Sequence, residues 1–274
     1  MFNWLRRFSK IIYLILFVFS VVLLIPFNNK SSVNLPTTQE QYNSQLAYLK
    51  TTDNVISYID SIYSKNNPNP DFDTIAYINT VSDFIKERFH YGLSRYSLNE
   101  NWIAVVLGKI SWSHFSAIVD TKHLLKHNEG LCSQQTIVFL SILKEKGIKF
   151  RTVGLGYEQG PGHYLCEVYY NGSWHLFDVT KEPNWQKISK SHESMDYYLQ
   201  NKDTLYKVYE SVMPEQLFYK VLEKVEYGEV SEMPARKMKL FHSITKGLTY
   251  VLPILFFILF VYSGKNTYKE KLKD

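Results

Sequence analysis

The dipeptide Asn171-Gly172 constrains the folding of this chain more than any other feature of its sequence. It separates two segments rich in aromatic and aliphatic residues, 163–170 and 173–179. Asn-Gly is the strongest short-range signal for a β-hairpin with a two-residue turn, because both turn positions need a positive φ. The two segments are therefore predicted to be antiparallel strands in a fixed register.

The register of this hairpin brings a histidine and a carboxylate together. Pairing Tyr170 with Ser173 places Asp178 opposite Leu165. His163 is two residues from Leu165 and lies on the same face, because strand side chains alternate with period two. His163 and Asp178 are then diagonal neighbours within side-chain reach. We expect one hairpin to hold an imidazole beside a carboxylate.

A buried helix is predicted just upstream of the hairpin. Residues 132–146 contain no Gly or Pro and are apolar around most of the helix circumference. Gly147 ends the pattern, and Lys144 and Lys146 occupy the last turn, where the helix dipole favours cations. Cys132 then lies in the first turn, where unpaired N–H groups and the dipole favour a thiolate. A cysteine nucleophile requires such a lowered thiol pKa.

Cys132, His163 and Asp178 are the types of residue that form a thiol nucleophile, its base and the group that orients the base. A disulfide between Cys132 and Cys166 is an alternative. The register opposes it, because Cys166 pairs with Phe177 on the face away from His163. A metal site is a second alternative, but no fourth protein ligand is obvious. We expect no metal and no cofactor.

These residues also carry a family resemblance. Gly130-Leu131-Cys132 at a helix start, His163 opening a strand and Asp178 closing the next resemble the transglutaminase-like superfamily of papain-related Cys-His-Asp thiol enzymes. The same order includes Gly147-Ile148, Gly154, Glu167, Trp174 and Thr180. The resemblance covers about residues 75–185 and is strongest from Gly130 to Thr180.

The resemblance implies an α+β fold with a transglutaminase-like or papain-like core. In such a core the cysteine lies at a helix N-terminus that packs on an antiparallel sheet carrying the histidine and the aspartate. It implies Cys132 as nucleophile, His163 as general base and acid, and Asp178 as orienter. The chain departs from the family pattern at residues 164–166 and at Val179, which leaves the pocket shape and the substrate open.

Two further residues, Trp112 and Glu167, are predicted to have a place in or near the site. In the family, an upstream aromatic or amide side chain can help the cysteine N–H group stabilise an oxyanion. Trp112 is a candidate for that role, with a core tryptophan as the alternative. Glu167 lies on the His163 face of its strand and is expected to be a solvated carboxylate or a carboxylate at the rim of the site.

Two apolar segments near the chain ends predict membrane anchors. Residues 11–27 carry no charge and would form about 25 Å of helix, near the lower limit for crossing a bilayer. Arg6, Arg7 and Lys10 precede this segment, so the positive-inside rule places the N-terminus in the cytoplasm. A cleaved signal peptide is the alternative, but residues 26–30 offer no small-x-small cleavage site.

The second apolar segment, residues 247–263, is shorter, contains Pro253 and has basic flanks on both sides. The positive-inside rule therefore does not predict the orientation of this segment by itself. An interfacial helix is the alternative to a membrane span. If both segments span, both termini are cytoplasmic and the domain between them is extracytoplasmic, in the cell envelope, the periplasm or at the outer surface.

The predicted organisation follows from these segments. It consists of a basic tail (1–10), a transmembrane helix (11–27), a linker (28–40), a transglutaminase-like domain with accessory helices (41–230), a basic juxtamembrane segment (231–246), a transmembrane helix (247–263) and a basic tail (264–274).

The net charge of +5 is mild, and the basic residues gather near the two ends. This distribution is typical of membrane flanks rather than of a nucleic-acid surface. The expected partners are the lipid bilayer and a protein or peptide substrate, with no nucleic acid; the oligomeric state stays open.

The predicted function is that of a membrane-anchored thiol enzyme acting on amide or acyl bonds through an acyl-enzyme, with a cysteine peptidase or amidase favoured. One alternative is a non-catalytic module on the same fold that binds a peptide or an envelope polymer. Another is an acyltransferase that cross-links proteins.

Overall fold

The computed structural model describes residues 2–26, 42–69, 71–158, 160, 162–180 and 192–271, and side chains from residue 8 to residue 263. In chain order its elements are α1 (Phe2–Leu23), a 3-10 helix (Ser44–Tyr48), α2 (Thr52–Asn66), α3 (Thr74–Arg88), β1 (His90–Tyr91), α4 (Leu98–Ile110), a second 3-10 helix (Ser113–Ser116), α5 (Thr121–Leu124), β2 (Glu129–Gly130), α6 (Cys132–Glu145), β3 (Phe150–Gly156), β4 (His163–Tyr170), β5 (Ser173–Phe177), α7 (Met195–Gln200), α8 (Lys202–Tyr209), α9 (Glu215–Val221), β6 (Lys224–Tyr227) and α10 (Arg236–Lys271). The chain is thus a mixture of helices and small sheets.

The elements fall into two compact units. The helical unit contains the described residues of Met1–Val33, Arg95–Ala117 and Arg236–Asp274. The sheet unit contains those of Asn34–Ser94 and Ile118–Ala235. The segment Arg95–Ala117 therefore groups with the two terminal helices, whereas the expected domain 41–230 included it. The expected linker 28–40 lies outside the described residues.

The central sheet of the sheet unit is antiparallel, with strand order β5-β4-β3-β6. Strand β4 pairs with β5 through Tyr170 opposite Ser173 and Cys166 opposite Phe177. The predicted hairpin register is confirmed. Asn171 and Gly172 have φ of 48° and 82°, as a type I′ turn requires.

Helix α6 is the buried helix that the apolar pattern predicts. Most of its residues are buried. Its last turn closes at Gly147, which has a φ of 68° and donates its N–H to the carbonyl of Lys144 (3.0 Å). A left-handed residue at this position ends a helix and is easiest for glycine. The predicted boundaries of this helix are confirmed to within one residue.

The sheet is covered on both faces. On one face Phe139 of α6 packs against Phe177, with ring centroids 6.1 Å apart. On the other, buried side chains of α7, α8 and α9 form a cluster with Leu155, Leu165 and Leu176 of the sheet. The helices of residues 195–221, for which the sequence suggests no chemical role, therefore cover the face that carries His163.

In the helical unit, α1 and α10 pack against each other. The ring centroids of Phe17 and Phe257 are 5.2 Å apart, and Lys10 Nζ lies 5.2 Å from the ring centre of Phe260. Within the described residues, one helical stretch is both long enough and apolar enough to cross a membrane, and it is the part of α10 from Arg236 to Ser263. The apolar stretch of α1, Phe8–Leu23, is shorter. Helix α10 runs continuously through the expected juxtamembrane segment from residue 236 onward and through Pro253.

Candidate active site

The hairpin places His163 and Asp178 side by side. His163 is the first residue of β4, and Asp178 directly follows β5. The Nε2 atom of His163 lies 2.5 Å from Oδ2 of Asp178, and both side chains are buried. The expected contact between an imidazole and a carboxylate is therefore present, and its origin is the two-residue turn.

Cys132 is the first residue of α6, and its thiol forms a hydrogen bond with His163. Since Nε2 of His163 is bound to Asp178, Nδ1 is the ring nitrogen left for the thiol. Burial raises the pKa of Cys132, but the hydrogen bond and charge of His163, with the backbone N–H of Tyr164, lower it by more. The net effect is a thiol pKa below its ordinary value.

The pKa of His163 shifts in the opposite direction to that of Cys132. Burial lowers the pKa of its imidazole, but the negative charge of Asp178, the hydrogen bond to it and the contact with Cys132 raise the pKa by more. The net pKa of His163 is above its ordinary value. A cysteine that loses its proton easily beside a histidine that keeps one favours a thiolate–imidazolium pair.

Asp178 is held by further donors besides His163. Its Oδ1 accepts the N–H of Thr180 (3.0 Å), and its Oδ2 accepts the hydroxyl of Tyr209 (2.8 Å). Tyr209 is buried at the end of α8, and burial raises its pKa well above the ordinary value, so its hydroxyl remains a donor. No local pattern singles out Tyr209, because its role arises from packing of the helical layer on the sheet.

Tyr91 is a second tyrosine that the sequence does not reveal. Strands β1 and β2 pair in parallel with Tyr91 opposite Gly130, two residues before the cysteine. Its hydroxyl forms a hydrogen bond with Cys132. Tyr91 is only partly buried, but that desolvation, followed by the charges of Cys132 and Asp178, raises its pKa, so its hydroxyl keeps its proton beside the thiol.

The start of α6 supplies backbone donors beside the thiol. The N–H groups of Gln134 and Gln135 bond to the carbonyl of Leu131 (both 2.9 Å). The N–H groups of Cys132 and Ser133 precede them at the open end of the helix, where a helix presents unpaired donors. This is the position from which an oxyanion formed on a substrate carbonyl could be stabilised.

The two cysteines are not linked. Both are free, and Cys166 is buried with its Sγ 3.8 Å from the carbonyl of Phe177. Burial, together with the charges of Asp178 and Glu167, raises the pKa of the Cys166 thiol well above its ordinary value. The disulfide alternative is therefore wrong, and Cys166 is the less reactive of the two thiols.

The expectation for Glu167 is also wrong. Its side chain is 0% exposed instead of solvated at a rim. It pairs with Arg151 Nε (2.5 Å), its cross-strand neighbour, and accepts the N–H of Met195 (2.6 Å) at the start of α7. A buried carboxylate needs such partners, and α7, which covers this face of the sheet, supplies one of them.

Trp112 lies in the helical unit, whereas Cys132, His163 and Asp178 lie in the sheet unit. Its side chain is 51% exposed, stacks on His114 (4.9 Å) and meets Phe115 edge-on (5.5 Å). The alternative of a core tryptophan is therefore wrong. Its suggested part in stabilising an oxyanion stays a prediction.

Comparison with known proteins adds one weak likeness. No protein-family model matches the sequence, and no curated protein matches it. A crystal structure described as that of a TGase is similar at 16% identity, with a TM-score of 0.30. The match covers 62% of this chain and 40% of that chain, so it spans less than half the length of that structure. No residue role is transferred from it.

Proposed function

We propose that this protein is a membrane-anchored, transglutaminase-like thiol enzyme that acts on amide or acyl bonds, with a cysteine peptidase or amidase as its activity. The observation that carries the proposal is the continuous chain of contacts from the Cys132 thiol through the His163 imidazole to the Asp178 carboxylate. The opposite pKa shifts of the cysteine and the histidine support it.

In the first step, the thiolate of Cys132 attacks the carbonyl carbon of the substrate and a C–S bond forms. The carbonyl oxygen becomes an oxyanion, which the backbone N–H groups at the start of α6 stabilise. The imidazolium of His163 then gives its proton to the amine nitrogen, and the C–N bond breaks. The amine leaves, and the acyl group remains on Cys132 as a thioester.

In the second step, neutral His163 takes a proton from an incoming water molecule, whose oxygen attacks the thioester carbon. The C–S bond breaks, a carboxylic acid leaves, and the thiolate–imidazolium pair is restored. An acceptor amine in place of water would give a new amide and hence cross-linking. Throughout both steps, the buried Asp178 keeps the ring of His163 in place and stabilises its positive charge.

The membrane part of the proposal rests on α10. Its stretch Arg236–Ser263 has the length and hydropathy of a membrane span, and little of its apolar part is buried within the protein. The apolar helix α1 packs along it. We place both helices in the bilayer, with both chain termini in the cytoplasm and the sheet unit outside it.

The deciding experiment follows the alkylation of Cys132 by iodoacetamide as a function of pH, read by mass spectrometry on the full chain in lipid nanodiscs. Buried Cys166 serves as the internal control. We expect Cys132 to react at pH values well below the ordinary thiol pKa of about 8.5. In His163→Ala the profile should move up to that ordinary range, because the charge partner is gone.

An ordinary thiol profile for Cys132 in the unchanged protein would contradict the proposal. If Cys132 shows the expected low-pH profile, a second measurement identifies the reaction. Incubation with a mixture of peptides should leave a mass increase on Cys132 that decays with time as the thioester is hydrolysed. Peptide binding without any such adduct would support the non-catalytic binding module instead.

A further inference from the structure

We propose that the segment Arg95–Ala117, with α4 and its 3-10 helix, is a third membrane-embedded element that lies in the lipid interface beside α1 and α10. The inference deepens the proposed membrane anchoring and rests on it. It concerns the helical unit alone, and its partner is a lipid surface.

The composition of α4 does not suit a helix in water. From Trp102 to Ile110 it reads Trp-Ile-Ala-Val-Val-Leu-Gly-Lys-Ile, with Lys109 as its single charge. Of these residues, all of which the structure describes, only Ala104 is buried. Ile110 is 74% exposed, and Trp112 just beyond the helix is half exposed. A helix that is apolar nearly all round belongs in a protein core or in lipid, and α4 is not in a core.

The contacts of α4 are made with the two apolar helices of its own unit. It packs mainly along α10 and also touches α1. The surface of α10 beyond that contact is apolar and open; Ile258, for example, is 56% exposed. The partly exposed apolar side chains of α4, with Ile110 exposed at its end, therefore continue a surface that the proposed function already places in lipid. This continuity makes lipid the occupant that we propose.

The side-chain amide of Asn101, between α4 and α10, finds its partners within the protein. Asn101 is fully buried; its Nδ2 donates to Thr245 Oγ1 (2.9 Å), and its Oδ1 accepts from Thr249 Oγ1 (3.4 Å) and from the N–H of Ala104 (3.2 Å). The backbone of Asn101 is non-helical, with φ −162° and ψ 72°, so its side chain caps the apolar part of α4. Polar side chains that bond across helices are what a site without water requires.

The point at which α4 contacts α10 indicates how deep α4 lies in the bilayer. A hydrocarbon core about 30 Å thick needs about 20 helical residues. Counted back from Ser263, where the apolar span ends, that core begins near Ile244. The contacts of Asn101 with Thr245 and Thr249 thus lie at the boundary of the hydrocarbon. Tryptophan is enriched at this level of a bilayer.

The 3-10 helix attaches on the headgroup side of that boundary. The carbonyl oxygen of Phe115 lies 2.8 Å from Nε2 of His242. The ring centroids of Phe115 and Phe241 are 4.9 Å apart. The basic first turn of α10, with the exposed residues Arg236, Lys237 and Lys239, comes just before this contact. Basic residues flanking an apolar helix suit anionic headgroups. The segment therefore spans the change from acyl chains to headgroups.

The test measures how accessible single nitroxide labels are to oxygen, which concentrates in lipid, and to a nickel chelate, which stays in water. The full chain carries Cys132→Ser and Cys166→Ser and is placed in nanodiscs of phosphatidylethanolamine and phosphatidylglycerol. One label is introduced by Ile110→Cys. Ile258→Cys on α10 is the lipid control, and Tyr48→Cys, at a side chain that is 64% exposed in the sheet unit, is the water control.

We expect the ratio of oxygen to nickel accessibility at position 110 to be severalfold higher than at position 48 and to approach that at position 258. A label introduced by Trp112→Cys should behave in the same way and serves if the first variant does not fold. A water-like ratio at 110 beside a lipid-like ratio at 258 overturns this inference and leaves the membrane anchor standing.

Two other outcomes also overturn the inference. A water-like ratio at position 258 removes the membrane anchor itself. Low accessibility to both reagents at position 110, with dipolar broadening between labels, shows that a second copy of the chain covers this surface instead of lipid.

Discussion

Asp178 shows how a single carboxylate collects its partners from distant parts of the chain. The ring of His163 and the hydroxyl of Tyr209 both contact Oδ2, while Oδ1 accepts the N–H of Thr180. Hydrogen bonds to a charged group contribute about 1.5–3 kcal/mol each. These contacts hold the carboxylate in one orientation beside the imidazole of His163.

Tyr209 is therefore expected to position Asp178. In Tyr209→Phe the ring still fills its place, but the carboxylate loses a donor that fixes its orientation. A carboxylate that is less firmly placed stabilises the imidazolium of His163 less well. We expect the acid limb of the Cys132 alkylation profile to move to higher pH and turnover to fall about tenfold, which corresponds to about 1.4 kcal/mol.

The matched control is Tyr198→Phe. Tyr198 is also a buried tyrosine of the layer that covers the sheet, and its hydroxyl accepts the N–H of Glu193 (3.2 Å). Its loss should leave the pH profile of Cys132 in place. If both variants shift the profile equally, Tyr209 acts only through packing.

At the scale of elements, one side chain of α6 organises the backbone around the helix start. Gln134 accepts the N–H groups of Ser94 (2.9 Å) and Leu131 (3.1 Å) through Oε1. Through Nε2 it donates to the carbonyls of Ser94 and Ile118 (both 2.8 Å). Ser94 and Ile118 are the residues that flank the segment Arg95–Ala117. Gln134 thus ties Ser94 and Ile118 to the helix that carries Cys132.

We expect Gln134→Ala to lower the free energy of unfolding by about 3 kcal/mol, because several buried backbone groups lose their partner. Gln135→Ala is the control: its Nε2 donates to the carbonyl of Gly130 (2.8 Å), so its loss should cost about 1 kcal/mol. Urea unfolding of the full chain in detergent, followed by circular dichroism, measures both. Equal midpoints for the two variants would contradict the role assigned to Gln134.

Prediction of the elements from sequence succeeded where the deciding interactions are local. The turn at Asn171-Gly172 and the helix stop at Gly147 each depend on backbone conformations that few residues adopt easily. Glu167 shows the limit. Its place on the His163 face follows from alternation, but its burial depends on α7, which no pattern in the strand can reveal. The same holds for Tyr209, whose partner lies on another element.

At the scale of the whole molecule, the proposed topology makes a prediction of its own. With both termini in the cytoplasm, green fluorescent protein fused to the C-terminus should fluoresce, because it matures in that compartment. In the same cells a membrane-impermeant maleimide should label Tyr48→Cys without permeabilisation, since the proposed topology places the sheet unit outside the cytoplasm. The background carries Cys132→Ser, and the matched protein without Tyr48→Cys controls for labelling elsewhere.

Labelling at position 48 only after permeabilisation would contradict this topology. So would a silent C-terminal reporter in cells that contain the full-length protein. Either result would leave the alkylation experiment on Cys132 unaffected, because the contacts among Cys132, His163 and Asp178 are formed within the sheet unit.

By itself, the sequence determined the hairpin, its register and the helix that begins at Cys132, and these place three chemically matched residues in one region. Turn chemistry, side-chain alternation and apolar periodicity act over a few residues, so they can be read from the chain directly. Only the tertiary structure decided that Tyr209 and Tyr91 join the site, that Glu167 is buried and that Arg95–Ala117 belongs with the terminal helices. Those outcomes depend on which surfaces pack together, and contacts between residues far apart in the chain leave no local pattern.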